Sequence, residues 1–521
     1  MADKRLVNQI SDSAEPFIVI KENQEKRETP RVTVWLVVSV VATLLGSSLP
    51  GGYCLGVINT PQEIIRSWVR TVVWESYGKR FTHTEEMTLW ALIVSIFVGG
   101  AIIGASFGTK LADKIGRRLA LLVNHWLCLC SGFILISCKM LGSMEMLILG
   151  RFISGLCTGV GTCLVPLYLS EVAPAELRGI MGVTFPLGMC MGILLSQIMG
   201  MQYVLGNECG WPYLLGGYVV FVGVAFLLHP ALPESPTYCY TISRDETRGR
   251  RDLYRLRGNS KHVEAEISTL KMLGDAAASE VTERDWSLAR VMRFRQYRLP
   301  LLITLLFNAG QQFSGINAVF YYSTLIFRSA GLDVYQSQGA AIGAGVINCI
   351  MAILAVPLIR FCSRRVLLLT SVALCCVCQI VLMAALSLIP TSSYAPYVAI
   401  VALMSYVLVY GMGLGPVPFM IATELFPVGP RSVGISLGAT CNWLCNLLVG
   451  LTFPLVQGAL DEFSFTIFIT SSCFLFIFIY RFLPETHGKE ETNFDNLTEK
   501  EQDSDGGTST SSLEETGSPP V

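Results

Sequence analysis

Three side-chain amides crowd one short apolar run: Gln311, Gln312 and Asn317, flanked by Gly310 and Gly315 and followed by Phe320, Tyr321 and Tyr322. An uncharged amide inside a charge-free helix is costly to desolvate unless something polar faces it. Each amide offers donors and acceptors together. That pattern suits a ring of hydroxyls, and the aromatic rings supply flat faces for a C–H surface. The competing reading is that Asn and Gln merely tie helices together, at about 0.6 kcal/mol per pair. A second constellation is a polar knot written twice. Glu171 and Arg178 stand in PLYLSEVAPAELRG, Glu424 and Arg431 in ATELFPVGPR, seven residues apart in both copies.

Other chemistries lack their residues. No phosphate loop of the GxxxxGK[ST] type is present, which argues against ATP hydrolysis within the chain. His83, His125, His229, His262 and His487 are scattered, with no nucleophile, metal cluster or acid pair assembled around them. Neither an enzyme nor a cofactor or metal site is expected. Cys375 and Cys378 match CxxC by spacing, but they fall mid-helix and read as small apolar packing residues.

The elements that position these side chains must lie in lipid. The 521-residue chain is 52% hydrophobic and 15% charged, where soluble domains average about 25% charged. Apolar runs of about 18 or more residues read as membrane helices. Twelve are counted, at 33–58, 88–109, 119–138, 145–169, 180–202 and 212–232, then 299–329, 339–360, 366–389, 396–420, 433–457 and 463–483. The fold class is therefore an all-α polytopic membrane protein. A net charge of −1 gives no sign of a nucleic-acid partner. The lipid bilayer is the expected partner, and no obligate protein partner is evident.

Lys110, Lys114, Arg117 and Arg118 follow the second span, and six arginines between Arg244 and Arg257 crowd the loop after the sixth. The connections 203–211, 390–395 and 458–462 carry no Lys or Arg. The positive-inside rule then places both termini and the central loop in the cytoplasm. The polar lead is not expected to act as a cleavable signal peptide.

Marks in the sequence recur at an offset near 250: the knot itself, Asp113–Arg118 with Ser363–Arg365, and Pro233–Pro236 with Pro484–Thr486. Two six-helix halves related by an axis along the membrane normal give such a repeat. The expected organisation is a cytoplasmic segment 1–32, a first half 33–232, an intracellular helical loop 233–298, a second half 299–483 and a disordered acidic tail 484–521. Gly155 and Gly159 form a small-xxx-small ridge for close helix packing. Arg151, a charge early in the fourth span, either snorkels outward or shapes the external gate.

Taken in order, DKIGRR, GRFISG, the PLYLSEVAPAELRG knot, PESP, GQQFSGINAVFYYS, ATELFPVGPR and PETHGK resemble the sugar porter family of the major facilitator superfamily. The seventh-span run is especially similar to animal facilitative glucose transporters, and the resemblance covers roughly 33–490. It implies the major facilitator fold, with twelve helices in two six-helix halves. The implied activity is facilitative transport of a small hexose, D-glucose above all, across the plasma membrane by alternating access. Besides Gln311, Gln312 and Asn317, it implies substrate contacts at Asn348, Phe419, Asn442 and Trp443. Glu171, Arg178, Glu424 and Arg431, joined by Arg117, Arg118, Glu234 and Glu485, are expected to form a cytoplasmic network holding the outward-open state. The alternative is that these charges merely finish helix ends. Similar sugar–proton symporters carry Asp where this chain has Cys54, and no acid lies well inside a span, so uniport is expected.

The chain also departs from that pattern. Pro186 stands where glucose carriers bring a fifth-helix Gln, Phe419 replaces a Trp, and Gly411 replaces an acid. The loop at Arg360–Arg365 lacks the acid that precedes GRR, so the second-half latch is expected to be weaker. Fructose, another polyol or an organic anion, proton symport, and a non-transporting sugar sensor stand as alternatives.

Overall fold

The computed structural model describes residues 32–78, 82–258, 263–279, 288–317, 319, 327 and 331–483. Phe320, Tyr321, Tyr322, Glu485 and the tail lie outside the described residues. Among the described residues, eleven helices are long and apolar enough to cross a membrane. In order they are Val34–Gly56, Glu85–Ile115, Arg117–Ser137, Met144–Val172, Ile180–Met199 and Trp211–Ala231, then Gln336–Phe361, Arg364–Leu388, Ala395–Leu425, Pro430–Phe453 and Asp461–Phe482. Between these two sets lies the seventh helix, Arg295–Phe313, which ends at a break. These are the twelve helices of the major facilitator fold, in two six-helix halves.

Local chemistry sets several helix starts. Thr82 and Glu85 form a capping box before the second helix, each side chain accepting from the other's backbone N–H. Ser143 and Ser363 cap the fourth and ninth helices through their hydroxyls.

Lipid gives apolar side chains no push toward one another, so helices associate through close backbone packing. The ridge expected on the fourth helix does this against the second. A Cβ on Gly155 would stand 1.9 Å from the Phe97 carbonyl oxygen, and one on Gly159 2.1 Å from that of Ala101. Gly100 and Gly104 answer from the second helix, against the carbonyls of Phe152 and Leu156. The glycine-rich end of the first helix uses the same device against the fifth: Gly52 abuts the Met189 carbonyl and Gly192 that of Leu49.

The halves meet along two seams, second helix against eleventh and fifth against eighth. Ser436 Oγ donates to the Ala105 carbonyl at 2.6 Å, and the hydroxyls of Ser106 and Thr440 lie 3.2 Å apart.

The described residues of the central loop form the helices Pro236–Thr241, Glu246–Arg257, Val263–Ser279 and Leu288–Arg293. Tyr240, Leu253, Val263 and Ile267 form a small core there. The connection after the first helix holds an amphipathic helix, Gln62–Tyr77, which buries Ile65, Val69, Val72 and Val73. Those four follow helical spacing, and the charges between them occupy the other face. Trp68 packs on Trp211 with ring centroids 5.0 Å apart, Tyr77 donates to Glu145 at 2.5 Å, and Arg66 pairs with Glu86 at 3.0 Å.

Candidate substrate cavity

The break in the seventh helix places its amides. The helix stops at Phe313, and Gly315 turns the chain at φ +84°, a left-handed conformation suited to glycine. Gln311 and Gln312 thus lie on one side of the break and Asn317 on the other. All three face a cavity of about 110 Å³ between the halves.

The amides are joined in a chain. Asn317 Nδ2 donates to Gln312 Oε1. Gln312 Nε2 donates to Asn442 Oδ1 at 2.9 Å, and Asn442 Nδ2 donates to Gln311 Oε1 at 2.6 Å. Gln311 Nε2 donates to the Leu414 and Gly415 carbonyls at 3.1 and 2.8 Å. Those carbonyls lie between the tenth-helix segments Ala395–Met412 and Val417–Leu425, where the Gly- and Pro-rich stretch interrupts the helix. Its unpaired backbone needs partners inside the protein, and Gln311 supplies one.

All seven residues expected to contact substrate line this one cavity: Gln311, Gln312, Asn317, Asn348, Phe419, Asn442 and Trp443. Asn348 Nδ2 donates to Cys190 Sγ across the fifth–eighth seam at 3.2 Å. Phe419 faces Phe185 with centroids 5.6 Å apart. Trp443 donates its indole N–H to Thr162 Oγ1 at 3.1 Å. Pro186 lines the wall where a fifth-helix amide was missing from the sequence, and Gly411 lines it too. Every lining residue among the described ones is uncharged at neutral pH. Such a wall can hydrogen-bond a neutral polyol and stack on it, and it holds no charged group for acid–base chemistry.

The described residues expected in the cytoplasmic network, Arg117, Arg118, Glu171, Arg178, Glu234, Glu424 and Arg431, make the following contacts. Arg117 is buried and forks onto Glu171, with Nε–Oε2 at 2.8 Å and Nη2–Oε1 at 3.0 Å, and it also meets Asp113 at 2.9 Å. Arg364 reaches Glu424 at 3.3 Å. Each of these pairs stays within its own half. Arg364 occupies in the second half the place of Arg117, and each donates to the carbonyl five residues before it. Arg360 stands where Asp113 stands in the first half, so the missing acid removes one partner without removing the pair.

Arg178 donates to the Ser170 carbonyl and Arg431 to that of Phe426, both at 3.1 Å. The Arg118 backbone N–H donates to Glu234 Oε1 at 3.0 Å, and Arg248 approaches Glu234 Oε2 at 3.4 Å. Glu485 falls outside the described residues. Arg151 is 2% exposed, which speaks against snorkelling. Its Nη1 donates to the Cys54 carbonyl at 2.6 Å, and its guanidinium lies over the Phe97 ring at 4.6 Å.

Sequence reasoning missed several residues. Asn308 accepts from Asn442 through its carbonyl at 3.2 Å. Tyr410 and Cys190 line the cavity. Asn308 sits one turn before the amide run, a signal of helical periodicity that could have found it. Cys190 carries no such signal, because it reads like the other thiols in the spans.

Residues 38–497 match the family model described as "Sugar (and other) transporter". The chain is 38% identical over 481 residues to solute carrier family 2, facilitated glucose transporter member 4 of Bos taurus, covering 91% of this chain and 92% of that one. It is 35% identical over 459 residues to member 7 of Mus musculus, covering 88% and 89%. The solved structure of a proton:xylose symporter, XylE, bound to 6-bromo-6-deoxy-D-glucose superposes with a TM-score of 0.76 at 24% identity. That match covers 89% of this chain and 98% of the other, and it speaks for the fold.

Proposed function

Because the chain belongs to the sugar (and other) transporter family, alongside the facilitated glucose transporters of solute carrier family 2, we propose that it carries hexoses, D-glucose foremost, down their gradient by alternating access. The observation that carries this reading is the uncharged cavity between the halves, ringed by Gln311, Gln312, Asn317, Asn348 and Asn442. Each amide keeps hydrogen-bonding capacity beyond its protein partners, and Phe419 and Trp443 offer apolar faces. A carrier must also release its cargo, so affinity near millimolar, about −4 kcal/mol, is expected.

Uniport is supported at Cys54. A carboxylate there would be the proton-carrying group of a symporter, and intramembrane acids are kept where they are used. Both termini and the central loop lie in the cytoplasm, and the membrane is the plasma membrane. The Arg117–Glu171 and Arg364–Glu424 pairs then sit at the cytoplasmic end and favour the outward-open state. Fructose or another polyol is the second reading, favoured by Pro186, which leaves the fifth-helix wall without an amide.

Uptake of labelled glucose and labelled fructose into proteoliposomes, with and without an imposed proton gradient, tests these assignments. Glucose that equilibrates and ignores the gradient supports the uniporter. Uptake of fructose alone moves the substrate to the second reading, and proton-driven accumulation overturns uniport.

A further inference from the structure

A helix that breaks within a membrane frees backbone carbonyls that need partners inside the protein. At the break in the seventh helix, the carbonyl of Ser314 has two among the described residues. Tyr406 Oη donates to it at 2.7 Å from the tenth helix, and Gln379 Nε2 donates to it from the ninth. All three residues are buried, and neither Tyr406 nor Gln379 is among those lining the cavity. Ser314 Oγ donates to the Gln311 carbonyl at 2.6 Å, which closes the last turn before the break.

The same break separates Gln311 and Gln312 from Asn317. The bond from Asn317 to Gln312 spans it, so the spacing of these amides depends on the chain angle at Ser314 and Gly315. That angle is set by whatever holds the freed carbonyl. An apolar pair at the ninth- and tenth-helix positions would fill the volume and leave the carbonyl unheld.

We infer that Gln379 and Tyr406 are positioning residues of the sugar site, clamping the Ser314 carbonyl and thereby setting where Asn317 stands relative to Gln311 and Gln312. This rests on the reading of the cavity as a sugar site. Both residues act through the backbone break and need no contact with the sugar. A purely structural role for them would lower stability and leave substrate affinity unchanged.

The test is Tyr406→Phe, which keeps the ring, and Gln379→Leu, alone and combined, assayed as full-length protein in proteoliposomes. Each single variant is expected to raise the KM for glucose about 3- to 10-fold, the effect of losing one buried hydrogen bond. The maximal rate per folded transporter should change by less than about 2-fold, since the translocation machinery is untouched. An unchanged KM in Tyr406→Phe overturns the clamp, whatever happens to the melting temperature. If Gln379→Leu fails to fold, Tyr406→Phe decides alone. Absence of hexose uptake by the wild type overturns the sugar reading and the inference with it, whereas normal wild-type uptake with unaltered variants sinks the inference only.

Discussion

Trp443 on the eleventh helix donates its indole N–H to Thr162 on the fourth, so a residue of the cavity wall is also a tie between the two halves. Both partners are buried. Thr162→Val keeps the shape and leaves that N–H without its acceptor, at about 1–3 kcal/mol. The population of the state with the halves closed on this seam should fall several-fold. Distance distributions between spin labels placed one on each half measure this; identical distributions would show that the bond does not bias the equilibrium.

The amide chain predicts graded losses of affinity. Gln312→Leu removes partners of both Asn442 and Asn317. A hydrogen bond of this kind is worth about 0.5–1.5 kcal/mol, so the KM for the transported hexose should rise at least about 2-fold. Asn442→Ala disconnects Gln311 from Gln312 and should do the same or more. Concentration series of initial uptake rates give the answer, and an unchanged KM in both variants removes the amides from the site.

The two latch pairs are unequal. Glu171 holds Arg117 in a buried fork, whereas Glu424 meets Arg364 at 3.3 Å with a side chain 19% exposed. Removing one partner of a buried pair costs roughly 3–5 kcal/mol, reduced here because Asp113 remains beside Arg117. Glu171→Gln is expected to lower the melting temperature more than Glu424→Gln. Glu424→Gln should slow uptake and, in the proposed orientation, enrich inward-open states. Thermal unfolding of the detergent-solubilised protein ranks the two, and the reverse order contradicts the burial argument.

The ridge between the second and fourth helices leaves no room for growth. A methyl at Gly155 or Gly159 meets backbone oxygen, which cannot swing aside as a side chain could. Overpacking of this kind costs about 1–3 kcal/mol or more. Gly155→Ala and Gly159→Ala should each reduce the yield of monodisperse protein, while Gly223→Ala, where a Cβ meets open space, should not. Size-exclusion profiles distinguish them.

Uptake should be nearly flat between about pH 6 and 8, because no cavity-lining residue titrates there by its ordinary pKa. Cys54→Asp places a carboxyl on the residue whose carbonyl accepts from Arg151. This variant should acquire a pH-dependent rate that the wild type lacks. Parallel pH profiles for both proteins would contradict the role assigned to Cys54.

Much of this was legible along the chain, and the rest was not for definite reasons. The spans and the glycine ridge are local signals: hydropathy over twenty residues, and two glycines four apart. The cavity residues emerged because amides are conspicuous in an apolar run and because family motifs carried Asn348, Phe419, Asn442 and Trp443. Which amide bonds which could not be read, since Gln312 and Asn442 lie 130 positions apart and meet only through tertiary packing. The helix Gln62–Tyr77 was hidden by its charges, although its buried positions kept helical spacing. The second latch was legible as a departure, yet Arg364 still finds Glu424 because the absent acid belonged to the other side of the arginine.

The Gln62–Tyr77 helix is fastened to the second, fourth and sixth helices, all in the first half, through Arg66–Glu86, Tyr77–Glu145 and Trp68–Trp211. In the proposed rocking of the two halves it would therefore travel with the first as one piece. An antibody fragment raised against its exposed face, with Trp74 and Arg70 at the surface, would bind every stage of the transport cycle alike and give a fixed fiducial for imaging the protein while the other half swings.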